Sequence, residues 1–121
     1  MKKKILIVDD EKQIARMLKI RMEASGYEAD VANDGLEGLA KVQQIQPDLI
    51  ILDVMMPKMD GFEVCRKLKD DPVFKSIPVL MLSVKAEEKA TDLGVIAGAD
   101  DYMPKPFEPE ILMEKIRKLL K

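Results

Sequence analysis

An α/β domain is predicted here: a doubly wound, five-stranded parallel sheet with helices on both faces. Three observations predict it. Short, continuous apolar runs at 4–8, 49–52 and 78–82 read as strands buried on both faces. Segments with helical apolar spacing lie between them. Acidic or polar residues follow the strand ends, where the ligands of such sheets bind.

The elements follow in chain order. Residues 4–8 form the first strand and run into Asp9 and Asp10. Residues 11–25 form a helix with Ile14, Met17, Leu18 and Met22 on its apolar face, closed by Gly26. Residues 27–31 alternate, with Tyr27, Ala29 and Val31 against Glu28 and Asp30, which reads as an edge strand with one wet face. Asp34 and Glu37 make a capping box for a second helix with Leu36, Leu39 and Val42 inward. The strand at 49–52 ends in Asp53, and a helix at 60–70 follows. The strand at 78–82 leads to Ser83 and a helix at 86–97, whose apolar face (Ala90, Leu93, Ala97) is thin and interrupted by Gly94. A short fifth strand near Asp101 to Met103 leads to Lys105. Glu108-Pro109 then opens a helix with Leu112, Ile116 and Leu119 inward.

The 121 residues fit a single domain spanning 1–121. A net charge of -2 speaks against direct nucleic-acid binding by a basic surface. No apolar run approaches a membrane span, and Lys2-Lys3-Lys4 precedes too short an apolar stretch for a signal peptide. Cys65 is the single cysteine, so no internal disulfide forms and a cytoplasmic location is expected. The nine methionines read mostly as core fillers rather than a metal or oxidation site. There are no histidines, which removes His-based metal ligation and general-base chemistry from this chain.

If the first and third strands are neighbours, Asp9, Asp10 and Asp53 converge. At a separation of about 5 Å and an effective dielectric of about 20, each pair of carboxylates repels by roughly 3 kcal/mol. A metal ion, a nucleophilic role, or both would account for that cost. Two carboxylates and a backbone carbonyl suit Mg²⁺. Ser83 and Lys105 arrive at the same edge and can bind phosphoryl oxygens. The remaining carboxylate can attack phosphorus.

The stretches ILIVDDE, LDVMMPKMDG, LSVK and GADDYMPKPF, taken in order over the whole chain, resemble the receiver (CheY-like) domain of two-component response regulators. The resemblance implies the strand order 2-1-3-4-5, for which a chemotaxis receiver is itself a standard example. It implies Asp53 as phosphoacceptor, and Mg²⁺ (or Mn²⁺) held by Asp9, Asp10, Asp53 and the Met55 carbonyl. Lys105 and Ser83 would contact the phosphoryl group, and Ser83 and Tyr102 would act as the switch pair. It also implies a cis Lys105-Pro106 bond and a loop shaped by Pro57 and Gly61. The implied partner is a sensor histidine kinase or phosphotransfer protein, met by the first helix through Ile14, Ala15, Leu18 and Lys19. The implied readout face comprises the fourth helix, fifth strand and fifth helix, and Asp101 with Arg117 resembles a pair that bridges a homodimer there. Such a domain is a signalling module that catalyses only its own phosphotransfer and dephosphorylation.

Two departures stand out. Val84 follows Ser83 where Ala or Gly is common, and Met55 and Met56 offer no group to position an attacking water; both favour a long-lived phosphorylated state. The alternative function is a Mg-dependent phosphatase with an Asp nucleophile, but its second acid, two residues on, would fall at Met55. A flavin carrier on a similar fold would need a phosphate-binding loop where Asp9-Asp10-Glu11 stand.

Overall fold

The computed structural model describes residues 2–83 and 98–121. Five strands, β1 (Lys4–Val8), β2 (Glu28–Ala32), β3 (Leu49–Asp53), β4 (Val79–Ser83) and β5 (Asp101–Pro104), form one parallel sheet in the order β2-β1-β3-β4-β5. The described helices are α1 (Lys12–Ala24), α2 (Gly35–Ile45), α3 (Gly61–Lys69) and α4, the C-terminal helix (Pro109–Leu119). The expected helix at 86–97, and Val84 with it, lie outside the described residues.

Alternation along the strands builds two cores. Leu6, Val8, Ile50, Leu52 and Met81 face one way and pack with Val42 of α2 and Val64, Cys65 and Leu68 of α3. Ile5, Ile7, Ile51, Leu80 and Leu82 face the other way and pack with Ala15, Leu18 and Met22 of α1 and Leu112, Met113 and Ile116 of α4. Because successive side chains of a strand point to opposite faces, a run buried at every position requires cover on both sides. The edge strand β2 is only partly covered, as its alternation implies.

Two helix faces differ from expectation. Met17 is 48% exposed and Leu36 is 60% exposed. On α1 Leu18 and Met22 are buried as expected, and Ala15 takes the inner place that Met17 does not. On α2 two glycines set the approach. A Cβ on Gly38 would lie 3.0 Å from a Val8 methyl, and one on Gly35 would lie 2.8 Å from a Val64 methyl. The helix therefore lies close against β1 and α3 along its Gly35–Gly38–Val42 line, and Leu36 falls outside it.

The caps are nearer to expectation. Asp34 accepts a hydrogen bond from the Glu37 N–H at 2.8 Å, while the Glu37 carboxylate reaches one residue further back, to the Asn33 N–H. Asp60 caps α3 in the same way through the Glu63 N–H. Gly26, with φ +93°, lies just past the end of α1 in the left-handed region that favours glycine.

Candidate functional site

Strand register decides which side chains meet at the carboxyl edge. Val8 pairs with Leu52, so Asp9 emerges beside Asp53. Asp53 pairs with Leu82 and Ser83 with Pro104, which brings Ser83 and then Lys105 to the same edge. The Lys105 N–H donates to the Ser83 carbonyl, and Lys105–Pro106 is cis. Asp9, Asp53, Ser83 and Lys105 are all buried, whereas Asp10 is exposed.

The Lys105 ammonium sits between the acids. It donates to Asp9 Oδ2 at 3.0 Å and to Asp53 Oδ1 at 3.1 Å, with Glu11 Oε1 3.7 Å away. The other Asp9 oxygen accepts the Glu11 N–H at 2.9 Å, which fixes the carboxylate at the entrance to α1. Burial, reinforced by the charge of Asp9, pushes the Asp53 carboxyl up from 3.8 to about 6. Lys105 and the Met55 N–H offset part of that rise. Burial works against the charge of Lys105, but its bond to Asp9 and the nearby charges of Asp53 and Asp9 win, so its pKa is raised.

One carboxylate oxygen from each of Asp9, Asp10 and Asp53 lies within 4.8 Å of the others, and among the described residues no other such acidic group occurs. Among the described residues, the cation paired with this group is Lys105, which meets Asp9, Asp53 and Glu11. An all-oxygen set with surplus negative charge fits a small hard divalent cation.

The loop after Asp53 is shaped by close contact. A Cβ on Gly61 would clash with the Asp53 carbonyl oxygen and lie 2.9 Å from the Val54 Cα. The Gly61 N–H donates to the Val54 carbonyl at 2.9 Å. Within the loop, Lys58 takes φ 68° while the Met59 N–H reaches the Pro57 carbonyl, a tight three-residue turn. Tyr102 is half-buried against the α2–α3 core.

Asp9, Asp10, Asp53 and Lys105 meet at this edge, Ser83 ends β4 there, Tyr102 stands on β5, and Gly61 packs against the Asp53 carbonyl. Two contributions were not foreseen: Glu11 as a further carboxylate near Lys105, and the Met55 N–H on Asp53. The run Asp9-Asp10-Glu11 is the signal that pointed to the first. Nothing in the side chain of Met55 points to the second, because a backbone group makes the contact.

A doubly wound sheet thus carries a buried Asp–Lys–Asp bridge and an acidic trio at its carboxyl edge. The sequence profile of the response regulator receiver domain matches residues 5–117, and the chain belongs to that family. It is 47% identical over 121 residues to the alkaline phosphatase synthesis transcriptional regulatory protein PhoP of Bacillus subtilis, covering 100% of this chain and 50% of that protein. It is 44% identical to the DNA-binding dual master transcriptional regulator RpaA of Synechocystis, covering 98% of this chain and 49% of that one. The chain thus spans about half the length of the curated relatives it matches. Among solved structures, the chemotaxis protein CheY4 of Vibrio cholerae superposes with a TM-score of 0.94 at 37% identity, covering 99% of this chain and 100% of that one. The phosphatase alternative is not favoured by any of these relatives.

Proposed function

We propose that Asp53 is the phosphoacceptor of this receiver domain and that Asp9, Asp10, Asp53 and the Met55 carbonyl hold Mg²⁺, with Mn²⁺ as a substitute. The observation that carries the reading is the Lys105 ammonium bridging two buried carboxylates, Asp9 and Asp53. Such a cation already stands where phosphoryl oxygens would need neutralising. An Asp53 oxygen attacks the phosphorus of a phosphohistidine, an acyl phosphate bond forms, the P–N bond breaks, and the imidazole leaves. The bound ion supplies charge neutralisation for the carboxylates and the phosphoryl oxygens. Lys105 keeps its bond to Asp9 and transfers its second bond from Asp53 to a phosphoryl oxygen. The Ser83 hydroxyl donates to another, and Ser83 with Tyr102 acts as the switch pair.

A sensor histidine kinase or phosphotransfer protein is the natural donor. Its docking face on α1 is corrected by burial: Ala15 and Leu18 are buried and cannot meet a partner. Gln13, Met17, Ile20 and Arg21 line an open hollow of about 480 Å³, and Met17 also borders a second one of about 400 Å³ with Lys105, Pro106 and Phe107. An apolar strip flanked by basic residues suits a partner helix with mixed apolar and acidic character. Readout runs through the β5–α4 face together with the helix expected at 86–97. Asp101 is held within the chain by Lys115 at 3.1 and 3.2 Å, so an Arg117 from a second copy would compete with that pair. A homodimer through this face would appear in sedimentation after phosphorylation; a monomer in both states removes the dimer.

The test of the site is direct. Mixed with Mg²⁺ and a small acyl phosphate, the domain gains one phosphoryl group by intact mass, and Asp53→Asn gains none. Equal labelling of the variant overturns the assignment. Because the exposed Met55 side chain carries no group that orients water, the label should persist for many minutes, and hydrolysis in seconds contradicts this.

A further inference from the structure

Eight of the nine methionines lie among the described residues, and they divide sharply. Met22, Met56, Met81, Met103 and Met113 are buried and Met59 is half-buried. Met17, at 48%, and Met55, at 66%, are exposed. Buried thioethers fill core space, but the two exposed ones are open to oxidants. Cys65, the only other sulfur, does not compete: it is fully buried, and burial pushes its thiol up to about 11, far from the reactive thiolate.

Met55 occupies a particular position. It lies two residues past Asp53, its backbone N–H bonds the Asp53 carboxylate, and its side chain is exposed to solvent. As a thioether it is a poor hydrogen-bond acceptor, so it gives an incoming water no orientation. Oxidation changes that chemistry. A hydroperoxide transfers one oxygen atom to the sulfur, its O–O bond breaks, and water or an alcohol leaves. Sulfur loses two electrons and the peroxide gains them. The sulfoxide oxygen is a strong acceptor on a side chain of almost unchanged length.

We propose that Met55 is an oxidation site through which hydroperoxides shorten the life of the phosphorylated domain. The lifetime part rests on the phosphoacceptor reading of Asp53; the selectivity of oxidation does not. Met17 is the internal control, since it is also exposed but belongs to α1 and not to the loop after Asp53.

The experiment uses the whole chain and hydrogen peroxide. After limited treatment, peptide mass mapping is expected to find oxygen on Met55 and Met17 ahead of the buried methionines. Protein labelled with a small acyl phosphate and Mg²⁺ then loses its phosphoryl group about three- to tenfold faster than untreated protein, a modest gain for one water-orienting group. Each variant is compared with its own untreated sample: Met55→Leu loses the response to peroxide, and Met17→Leu keeps it. Methionine sulfoxide reductase restores the slow rate. Oxygen entering a buried methionine first, or an unchanged lifetime once Met55 is oxidised, overturns the proposal. If the untreated chain takes no label, the phosphoacceptor reading and the lifetime effect fall together, while the oxidation map still decides selectivity.

Discussion

Asp53 carries a measurable thermodynamic signature in the metal-free protein. Its carboxyl rises from 3.8 to about 6, so between those values the folded state holds a proton that the unfolded chain releases. Where the folded state binds more protons, stability rises as pH falls. The contribution is therefore unfavourable above pH 6 and is relieved as pH drops toward 4, by at most about 3 kcal/mol. Asp53→Asn removes the charge while keeping the shape. In chelator, it should unfold at higher urea than the wild type at pH 7.5, by about 1–3 kcal/mol, with the gap closing toward pH 5. A gap that stays constant across that range contradicts a strained carboxylate. Lys105 presents the opposite case. Replacing it by Met leaves Asp9 and Asp53 buried without their shared cation, and at neutral pH this should cost about 3–5 kcal/mol by urea unfolding. A loss below about 1 kcal/mol would mean that the bridge contributes little to holding these acids together.

At the scale of elements, the open side of β2 raises a different question, because an exposed strand edge invites pairing with another chain. Here Lys41 of α2 donates to the Val31 carbonyl at 2.5 Å and to Asp30 Oδ1 at 3.1 Å. The same Asp30 oxygen accepts the Val31 N–H at 2.8 Å. Although burial works against the Asp30 charge, these bonds and the Lys41 charge lower its pKa. Both backbone groups of Val31 are thus occupied by side chains. Lys41→Ala should lower stability by only about 0.5–1.5 kcal/mol but increase association at high concentration, read by light scattering. Unchanged scattering would show that the clasp does not guard the edge. Such features explain what was legible beforehand. The strands could be read because continuous burial leaves a continuous apolar run, and the site because polar residues follow those runs. Met17 and Leu36 were misplaced because an apolar residue at helical spacing looks the same whether it meets the sheet or a partner. Only the close seating of Gly35 and Gly38 reveals which line of α2 is inner. The bridge of Lys105 to Asp9 depends on a contact 96 residues apart, which no local pattern encodes.

Across the whole molecule, the acidic edge and the two-sided core are coupled, because the strands that bury the core also carry the site at their ends. Metal binding should therefore stabilise the entire fold. A ligand that binds only the folded state adds RT ln(1 + [L]/Kd), about 1.4 kcal/mol at ten times Kd, which corresponds to roughly 4–6 °C in Tm for a domain of this size. The shift should depend on pH in a defined sense. Below about pH 6 a proton on Asp53 opposes the cation, so the gain from Mg²⁺ grows as pH rises from 5 to 8. Asp10 separates binding from folding, since it is exposed and holds no part of the core. Asp10→Asn should leave the metal-free Tm within about 2 °C of wild type, as surface substitutions commonly do, yet lose most of the Mg²⁺ shift. Thermal melts of both proteins in chelator and in Mg²⁺, at pH 5.5 and 7.5, decide it. An equal Mg²⁺ shift in wild type and Asp10→Asn would remove Asp10 from the metal site. A shift that is lost in Asp10→Asn but does not change with pH would keep the site and reject the coupling to Asp53.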